Sequence, residues 1–317
     1  METPRVLIIA GSDSGGGAGI QADIKTVTML GGHAMTAITA ITAQNTLGVQ
    51  AVMPVPTEMV IAQIDSVVSD LGVDAVKIGM IGSAETAHAV ADRLERLPGM
   101  PIVFDPVMIA TSGDTLADDE TISAFGRLMR IATLTTPNLP ELEALKSLSL
   151  WEREGARAEG VGRVRAGDDN ADPALTLPPL RGSLPLPQGE GFSGALLVKG
   201  GHAEGDTLTD RLVIDGEEVA RWEAPRISTT STHGTGCTLA SAIATYLARG
   251  VPLRSAVARA RQFVRMALKD APGLGAGHGP MGHQKIRLDL GPGARLNQVT
   301  IGMADYAASR DFYTLLG

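Results

Sequence analysis

Short apolar runs alternate along the chain with stretches that show a helical period. "RVLIIAG" precedes "AGIQADIKTVTMLG", "VDAVKIGM" precedes "SAETAHAVADRLERL", and "MPIVFDPV" precedes a predicted helix near 118–129. "TLTTPN" leads into "LPELEALKSL" in the same way, and the apolar run "GALLVKGG" follows later. Continuous β-branched runs joined through amphipathic helices are typical of βαβ units, whose parallel strands are covered on both faces. The pattern predicts an α/β fold with a mostly parallel central sheet flanked by helices on both faces.

Glycines, acids and polar residues cluster where the predicted strands end. These positions are Gly11–Gly17, Gly79–Met80, Asp105–Pro106, Asn138 and Lys199–Gly201. Open parallel sheets bind their ligands at the carboxyl ends of the strands. We therefore expect the functional site at this edge of the sheet.

Two segments break the pattern. Residues 151–193 have no sustained period and many Gly and Pro, so they cannot bury enough apolar surface to become ordered. We predict that they form a disordered insertion. The tail 291–317, "GPGARLNQVTIGMADYAASRDFYTLLG", resembles a truncated start of a glyoxalase-like (vicinal oxygen chelate) domain, with Gln298 where that family often has its first metal-binding His. An ordinary flexible tail is the alternative, and it stays open.

Composition narrows the setting. The chain has 317 residues, enough for one large α/β domain or two smaller ones, and a single cysteine, which excludes an internal disulfide framework and fits a reducing compartment. The formal net charge of −8, without a basic run, argues against a nucleic-acid partner. The apolar run "VLIIA" near the start is too short to span a membrane. These features predict a cytoplasmic protein that binds neither nucleic acid nor membrane.

The glycine-rich segment "GSDSGGGAGIQAD" lies between a predicted strand and a predicted helix. Glycines there let backbone N–H groups approach a ligand closely. The segment is not a Walker A loop, because no Gly-Lys-Ser/Thr follows, and it lacks the spacing of the dinucleotide fingerprint. A tight turn and a ligand loop both remain open.

The segment "HGTGCT" is a stronger signal, because Gly234, Thr235 and Gly236 lead directly into an apolar helix near Cys237. The first N–H groups of a helix lack intrahelical acceptors and carry partial positive charge, so they can hold the oxygens of a phosphoryl group in transfer. The helix terminus is also expected to lower the pKa of the Cys237 thiol, which suits a general base. A small, inert cysteine at a helix start is the alternative reading.

An ordered set of motifs resembles the hydroxymethylpyrimidine/phosphomethylpyrimidine kinases, thiamine-pathway enzymes of the ribokinase-like superfamily. The motifs are "AGSDSGGGAGIQADIKT", "TAITAQNT", "KIGM", "DPVM", "TPNLPE", "VKGGH" and "THGTGCTLASAIA". The likeness covers about 5–148 and 195–288. It implies an ATP- and Mg²⁺-dependent kinase, in a domain spanning 1–290, that acts as a homodimer. Its substrates would be 4-amino-5-hydroxymethyl-2-methylpyrimidine and the monophosphate of that compound.

The resemblance also implies roles for single residues on the acceptor side. The anion-hole motif falls on Gly234, Thr235 and Gly236, and the catalytic base falls on Cys237. The pyrimidine-recognising glutamine falls on Gln44, whose amide can both accept from an exocyclic amine and donate to a ring nitrogen. Asp23 resembles a second polar contact, and the pocket walls fall on Gly11, Ala18, Met80 and Val107.

On the nucleotide side, Asn138 and Glu141 resemble a magnesium-positioning motif. Asp105 stands where a carboxylate can orient metal-bound water, and with Glu141 it makes a hard-oxygen pair that suits Mg²⁺. Lys199 is expected to face the phosphates, or else to form an ion pair at its strand end.

Two other functions stay open at this point. A pyridoxal kinase of the same superfamily would use the same machinery, and some pyridoxal kinases share the cysteine. A non-catalytic pyrimidine-binding protein is the rival from a different class. Intact Cys237, Asn138 and Glu141 count against the second rival.

Overall fold

The computed structural model describes residues 2–97, 99–108, 116–145, 194–202 and 205–286. The chain divides into two compact units, Met1–Ile286 and Arg287–Gly317, and all described residues belong to the first. The predicted insertion at 151–193 and the predicted tail at 291–317 lie outside the described residues. Both therefore remain predictions.

The described strands form one nine-stranded sheet in the order β3-β2-β1-β4-β5-β6-β7-β8-β9. The strands are β1 (Arg5–Asp13), β2 (His33–Asn45), β3 (Gly48–Pro54), β4 (Ala75–Ile78), β5 (Ile102–Phe104), β6 (Leu134–Thr135), β7 (Ala195–Val198), β8 (Thr207–Ile214) and β9 (Glu217–Pro225). The strands from β2 to β7 in this order pair in parallel, and β3, β8 and β9 are antiparallel additions at the edges. The predicted α/β fold with a mostly parallel sheet is confirmed.

Helices cover both faces of the sheet. They are α1 (Gly19–Met29), α2 (Thr57–Asp70), α3 (Ala84–Glu95), α4 (Asp119–Ile131), α5 (Thr235–Ala248) and α6 (Leu253–Lys269), and residues 139–145 are also helical. Alternate residues of a strand point to opposite faces, so Val6 and Ile8 of β1 join the core under α1, α5 and α6. Leu7 and Ile9 join the separate core under α2, α3 and α4. Burial on both faces explains why these strands read as continuous apolar runs.

The chain order creates a switch point beside β1. From β1 the chain moves outward to β2 and β3, and then returns to β4 on the other side of β1. A crevice forms at the carboxyl ends of strands where the order reverses in this way, and ligands bind there in open α/β sheets. The glycine segment after β1 and Gly79–Met80 after β4 therefore flank this crevice.

One surface hollow lies at the opposite end of the strands from that crevice. Val68, Leu97 and Met100 line it, beside the amino ends of β4 and β5. Among the described helices, none has the length and apolar character needed to cross a membrane.

Candidate active site

The two glycine segments singled out in the sequence are in direct contact. Gly234, at the start of α5, has a left-handed φ of +81°, and a Cβ there would lie 2.0 Å from the carbonyl oxygen of Gly17. A Cβ on Gly17 would lie 2.5 Å from Cδ2 of His233. Neither position has room for a side chain. The backbone of the glycine loop therefore packs closely against the turn that begins α5.

Asp13 holds the glycine loop in shape. Its Oδ1 accepts a hydrogen bond from the amide of Gly15 at 2.8 Å, and its Oδ2 accepts from the amides of Gly17 and Ala18 at 3.0 and 2.8 Å. Burial by itself would raise the pKa of Asp13, but hydrogen bonds from His233 and the backbone lower it below its ordinary value. Asp13 is thus a carboxylate that gathers backbone amides around it.

The first turn of α5 faces a charged cluster. A Cβ on Gly236 would lie 3.1 Å from Oδ2 of Asp105 and 3.2 Å from Nζ of Lys199. The amide groups at the start of a helix have no partner within that helix. The predicted anion turn, Gly234 to Gly236, therefore lies against the strand-end groups predicted for the nucleotide side.

Cys237 follows this turn and is half-buried. Burial raises the pKa of its thiol to about 11, while the ammonium of Lys77 and the amide of Gly19 partly oppose that rise. The expectation of a lowered cysteine pKa was wrong, because desolvation of the thiolate outweighs the neighbouring positive charge. At neutral pH the side chain is a thiol, and the thiolate is a minor form.

A buried ion pair lies next to Cys237. Nζ of Lys77 is 2.8 Å from Oδ2 of Asp23, both side chains have no exposed surface, and the Ser241 hydroxyl donates to Oδ1 of Asp23 at 2.7 Å. Burial alone would lower the pKa of Lys77, but Asp23, Cys237 and Asp105 together raise it above its ordinary value. Both oxygens of Asp23 are engaged in this buried network and its side chain has no exposed surface, so a contact between Asp23 and the substrate stays a prediction.

Asp105, Lys199 and Glu141 form a second cluster at the carboxyl ends of β5 and β7. Oδ1 of Asp105 accepts from Nζ of Lys199 and from the hydroxyl of Thr136, each at 2.8 Å. Nζ of Lys199 is also 3.8 Å from Oε2 of Glu141. Burial would raise the pKa of Asp105, but Lys199 and Lys77 lower it, whereas burial raises the pKa of Glu141 to about 7. Lys199 thus occupies the strand-end ion pair that was one of its two expected roles.

Asn138 and Glu141 also have a local structural role. The amide of Asn138 donates to Oε2 of Glu141 at 2.8 Å, and the amide of Glu141 donates to Oδ1 of Asn138 at 2.9 Å. This reciprocal pairing is a capping box for the helix over 139–145. The motif therefore fixes its helix start and holds one carboxylate oxygen of Glu141 in place.

The residues predicted as pocket walls lie around the switch point. A Cβ on Gly11 would lie 3.1 Å from Sδ of Met80, so the ends of β1 and β4 meet there. Ala18 is the residue before the first turn of α1, and Val107 is half-buried two residues after Asp105. Gln44 is half-buried at the end of β2, and its amide contacts Nε2 of His233 at 3.3 Å. The structure therefore brings Gln44 to the residue that precedes the anion turn.

Sequence reasoning missed three residues of this site, namely Asp13, Lys77 and His233. Lys77 stands inside the apolar run "DAVKIGM", where a charge must find a buried partner. His233 stood in the quoted "HGTGCT" and Asp13 stood before the glycines, but neither was given a role. Only the fold reveals that Nε2 of His233 lies 2.9 Å from Oδ2 of Asp13.

The chain is a kinase with the ribokinase-like fold, in which a helix start and a lysine–carboxylate cluster meet at the carboxyl edge of a mostly parallel sheet. The chain belongs to the phosphomethylpyrimidine kinase family, whose model matches residues 13–165 and 190–282. The fold and family inferred from the motifs are confirmed.

Individual relatives agree with this assignment. The chain is 46% identical over 287 residues to the hydroxymethylpyrimidine/phosphomethylpyrimidine kinase of Rhizobium meliloti, covering 89% of this chain and 97% of that protein. It is 44% identical over 279 residues to the thiamine biosynthesis bifunctional protein ThiED of Geobacter sulfurreducens, where 88% of this chain matches 52% of the relative. The chain thus spans about half the length of that bifunctional relative.

A solved structure shows the same fold. The pyridoxal kinase from Staphylococcus aureus, in complex with AMP-PCP and pyridoxal, has a TM-score of 0.70 and 29% sequence identity. The match covers 89% of this chain and 94% of the pyridoxal kinase.

Proposed function

We propose that this chain transfers a phosphoryl group from ATP to the hydroxymethyl group of 4-amino-5-hydroxymethyl-2-methylpyrimidine and then to the resulting monophosphate, in thiamine biosynthesis in the cytoplasm. The contact between Gly234 and Gly17 carries the proposal. It joins the glycine loop and Gln44 on one side to Asp105 and Lys199 on the other. The groups expected to bind an acceptor and a phosphoryl donor thereby meet at the first turn of α5.

Cys237 is the proposed proton acceptor. In the minor thiolate form of Cys237, Sγ takes the proton of the substrate hydroxyl, whose oxygen forms the new bond to phosphorus while the bond from phosphorus to the leaving oxygen of ADP breaks. The amides of Gly234 to Cys237 stabilise the charge on the transferring phosphoryl group, which is the main demand of such a reaction. Lys77 beside the thiol favours the thiolate that this role requires.

Asp105 and Glu141 fit a magnesium ion that keeps most of its waters. No group of three or more His, Cys, Asp or Glu in the described part of the chain is arranged as a metal cage. Mg²⁺ in nucleotide sites needs only one or two carboxylates together with the phosphates. When bound, the ion would neutralise phosphate charge, and Lys199, beside both carboxylates, would add a second positive charge.

Pyridoxal phosphorylation is the second candidate activity. The likeness to the S. aureus pyridoxal kinase favours it, since that structure holds pyridoxal and shares the fold over most of both chains. The 46% identity to a hydroxymethylpyrimidine/phosphomethylpyrimidine kinase favours the pyrimidine.

A coupled ADP-release assay tests the proposal. With Mg²⁺-ATP, we expect turnover with the pyrimidine and with its monophosphate, little with pyridoxal, and loss of all turnover in EDTA. Faster turnover with pyridoxal would replace the first function by the second. Stabilisation against heat by the pyrimidine without any ADP release would support a non-catalytic binding protein instead.

Two proposals concern organisation. The kinase domain spans 1–290, with an insertion at 151–193; the family match is interrupted between 165 and 190, inside that segment, which supports an insertion there. The tail 291–317 is a separate addition.

The protein also forms a homodimer through β2 and β3. Ile41 and Met53 are paired across these two strands, and they are 45% and 58% exposed, so they form an apolar patch on the edge of the sheet. Light scattering should give twice the chain mass, and Met53→Glu should give the monomer; a monomeric unmodified protein would refute the dimer.

A further inference from the structure

The Asp13–His233 pair fixes which nitrogen of His233 carries a proton. Asp13 accepts three backbone amides, and its pKa lies below the ordinary value, so it is ionised and can only accept. Nε2 of His233, at 2.9 Å from Oδ2 of Asp13, must therefore be the protonated nitrogen and donate to the carboxylate. That proton also faces the neighbouring Gln44.

The Gln44 amide lies between His233 and Thr42. In the structure the amide nitrogen of Gln44 is 3.3 Å from Nε2 of His233, and the amide oxygen is 3.2 Å from Oγ1 of Thr42. The Thr42 hydroxyl donates to the carbonyl oxygen of Ser12 at 2.9 Å, so Oγ1 has only acceptor capacity left for Gln44. Amide oxygen and nitrogen are similar in shape, and the partners decide which is which. A protonated Nε2 has no lone pair for the Gln44 NH₂ group, and its one N–H, shared between Asp13 and Gln44, favours the Gln44 oxygen on that side. The accepting Oγ1 favours the Gln44 NH₂ group, so these partners favour the flipped amide.

We infer that Asp13, His233 and Thr42 are positioning residues that set the polarity of the Gln44 amide and thereby the ring edge that the site selects. The inference rests on the proposed function and deepens it. With these two contacts made, Gln44 retains one acceptor lone pair and one N–H. That pair complements the exocyclic amine and adjacent ring nitrogen of a 4-aminopyrimidine. A ring without that edge leaves both groups unmatched, which is how polar sites reject near-isosteres.

His233 and Thr42 orient the Gln44 amide from its two ends, so two independent variants test the inference. His233→Leu removes the donor, and Thr42→Val removes the acceptor together with the hydrogen bond to the carbonyl of Ser12 in the glycine-rich segment. We expect each to weaken pyrimidine binding by about ten-fold to a hundred-fold, from one or two stranded polar groups, and to leave the KM for ATP within about two-fold. His233→Gln places an N–H where Nε2 lies and should recover most of the affinity. His88→Leu, on the exposed face of α3, is the matched control.

Isothermal titration with the pyrimidine alone, together with the KM for ATP, separates the outcomes. Weaker pyrimidine binding in both variants, with ATP unaffected and with rescue by His233→Gln, supports the inference. Unchanged pyrimidine affinity in Thr42→Val, or equal loss of pyrimidine and ATP in that variant, overturns it, even if His233→Leu fails to fold. An unmodified protein that does not bind the pyrimidine would instead refute the proposed function, and the inference with it.

Discussion

Removing one partner of the buried Lys77–Asp23 pair should destabilise the protein strongly. Both side chains have no exposed surface, and the pair has one further polar contact, the hydroxyl of Ser241. Lys77→Met would leave the Asp23 carboxylate without its counter-ion in the core. Asp23→Leu would leave the buried ammonium of Lys77 with only the Coulomb attraction of Cys237 and Asp105.

The magnitude follows from the cost of an unpaired buried charge. Removing one partner of a buried pair typically costs about 3–5 kcal/mol, out of a total stability of about 5–15 kcal/mol for a domain. Replacing all members by apolar groups of similar size is often neutral, because the desolvation cost disappears with the charges. The combined variant Lys77→Met/Asp23→Leu/Ser241→Ala should therefore recover most of the free energy of unfolding that either single variant loses.

Urea unfolding at neutral pH measures the stability of all three variants, and the ADP-release assay measures their activity. The combined variant should fold, but its turnover should be slower than that of the unmodified protein, because Lys77 no longer favours the Cys237 thiolate. Single variants that cost less than about 1 kcal/mol would refute the reasoning, since a loss that small is typical of solvated pairs. Full activity in the combined variant would show that Lys77 does not act on Cys237.

Three further predictions concern recognition, pH and the insertion. Gln44→Leu leaves the polar edge of the pyrimidine without a hydrogen-bond partner, so titration calorimetry should show pyrimidine affinity falling by roughly ten-fold to a hundred-fold while ATP affinity is unchanged. Equal loss of pyrimidine and ATP affinity would mean that the substitution had collapsed the loop. Burial lowers the pKa of His283 from 6.5 to about 4, so its contribution to stability is complete above pH 6.5 and is lost as the pH falls from there toward about 4. Urea unfolding across that window should show a loss of about 3 kcal/mol that His283→Gln lacks, and the same loss in that variant would contradict the assignment. Limited proteolysis should cut first within 151–193 and leave kinase activity intact, because the entropic cost of closing a loop rises by only about 0.6 kcal/mol per doubling of its length. If this segment resisted the protease as well as the core does, it would have to pack on the domain.

The fold could be predicted from local pattern because burial on both faces of a parallel sheet leaves a direct trace in the sequence. The runs containing β1, β4 and β5 were recognisable for that reason, as were the strand-end positions of Asp105 and Lys199. The chemistry of the site depends on contacts distant in sequence. Asp13 and His233 are 220 residues apart, and Asp23 and Lys77 are 54 apart. No local signal pairs them.

The pKa prediction for Cys237 failed, and the burial of Asp23 was not foreseen, for one physical reason. Helix geometry suggested a lowered pKa for Cys237, and the family resemblance gave Asp23 a contact with the substrate, but both depend on how much protein surrounds the group. Burial raises the cysteine pKa to about 11 and encloses Asp23 completely. Burial at a helix start is decided by what packs over it, here α1 and β4, and short motifs do not contain that information.

The proton-acceptor role of Cys237 is tested most directly by comparing the rate of ADP release from the unmodified protein and from Cys237→Ser, with the pyrimidine as acceptor. Serine keeps the shape and hydrogen bonding of the side chain but has a much higher pKa. We predict that turnover falls by about two orders of magnitude or more while the dissociation constant of the pyrimidine is nearly unchanged. A serine variant that turns over at the unmodified rate would contradict the proposed chemistry and leave Cys237 with a structural role alone.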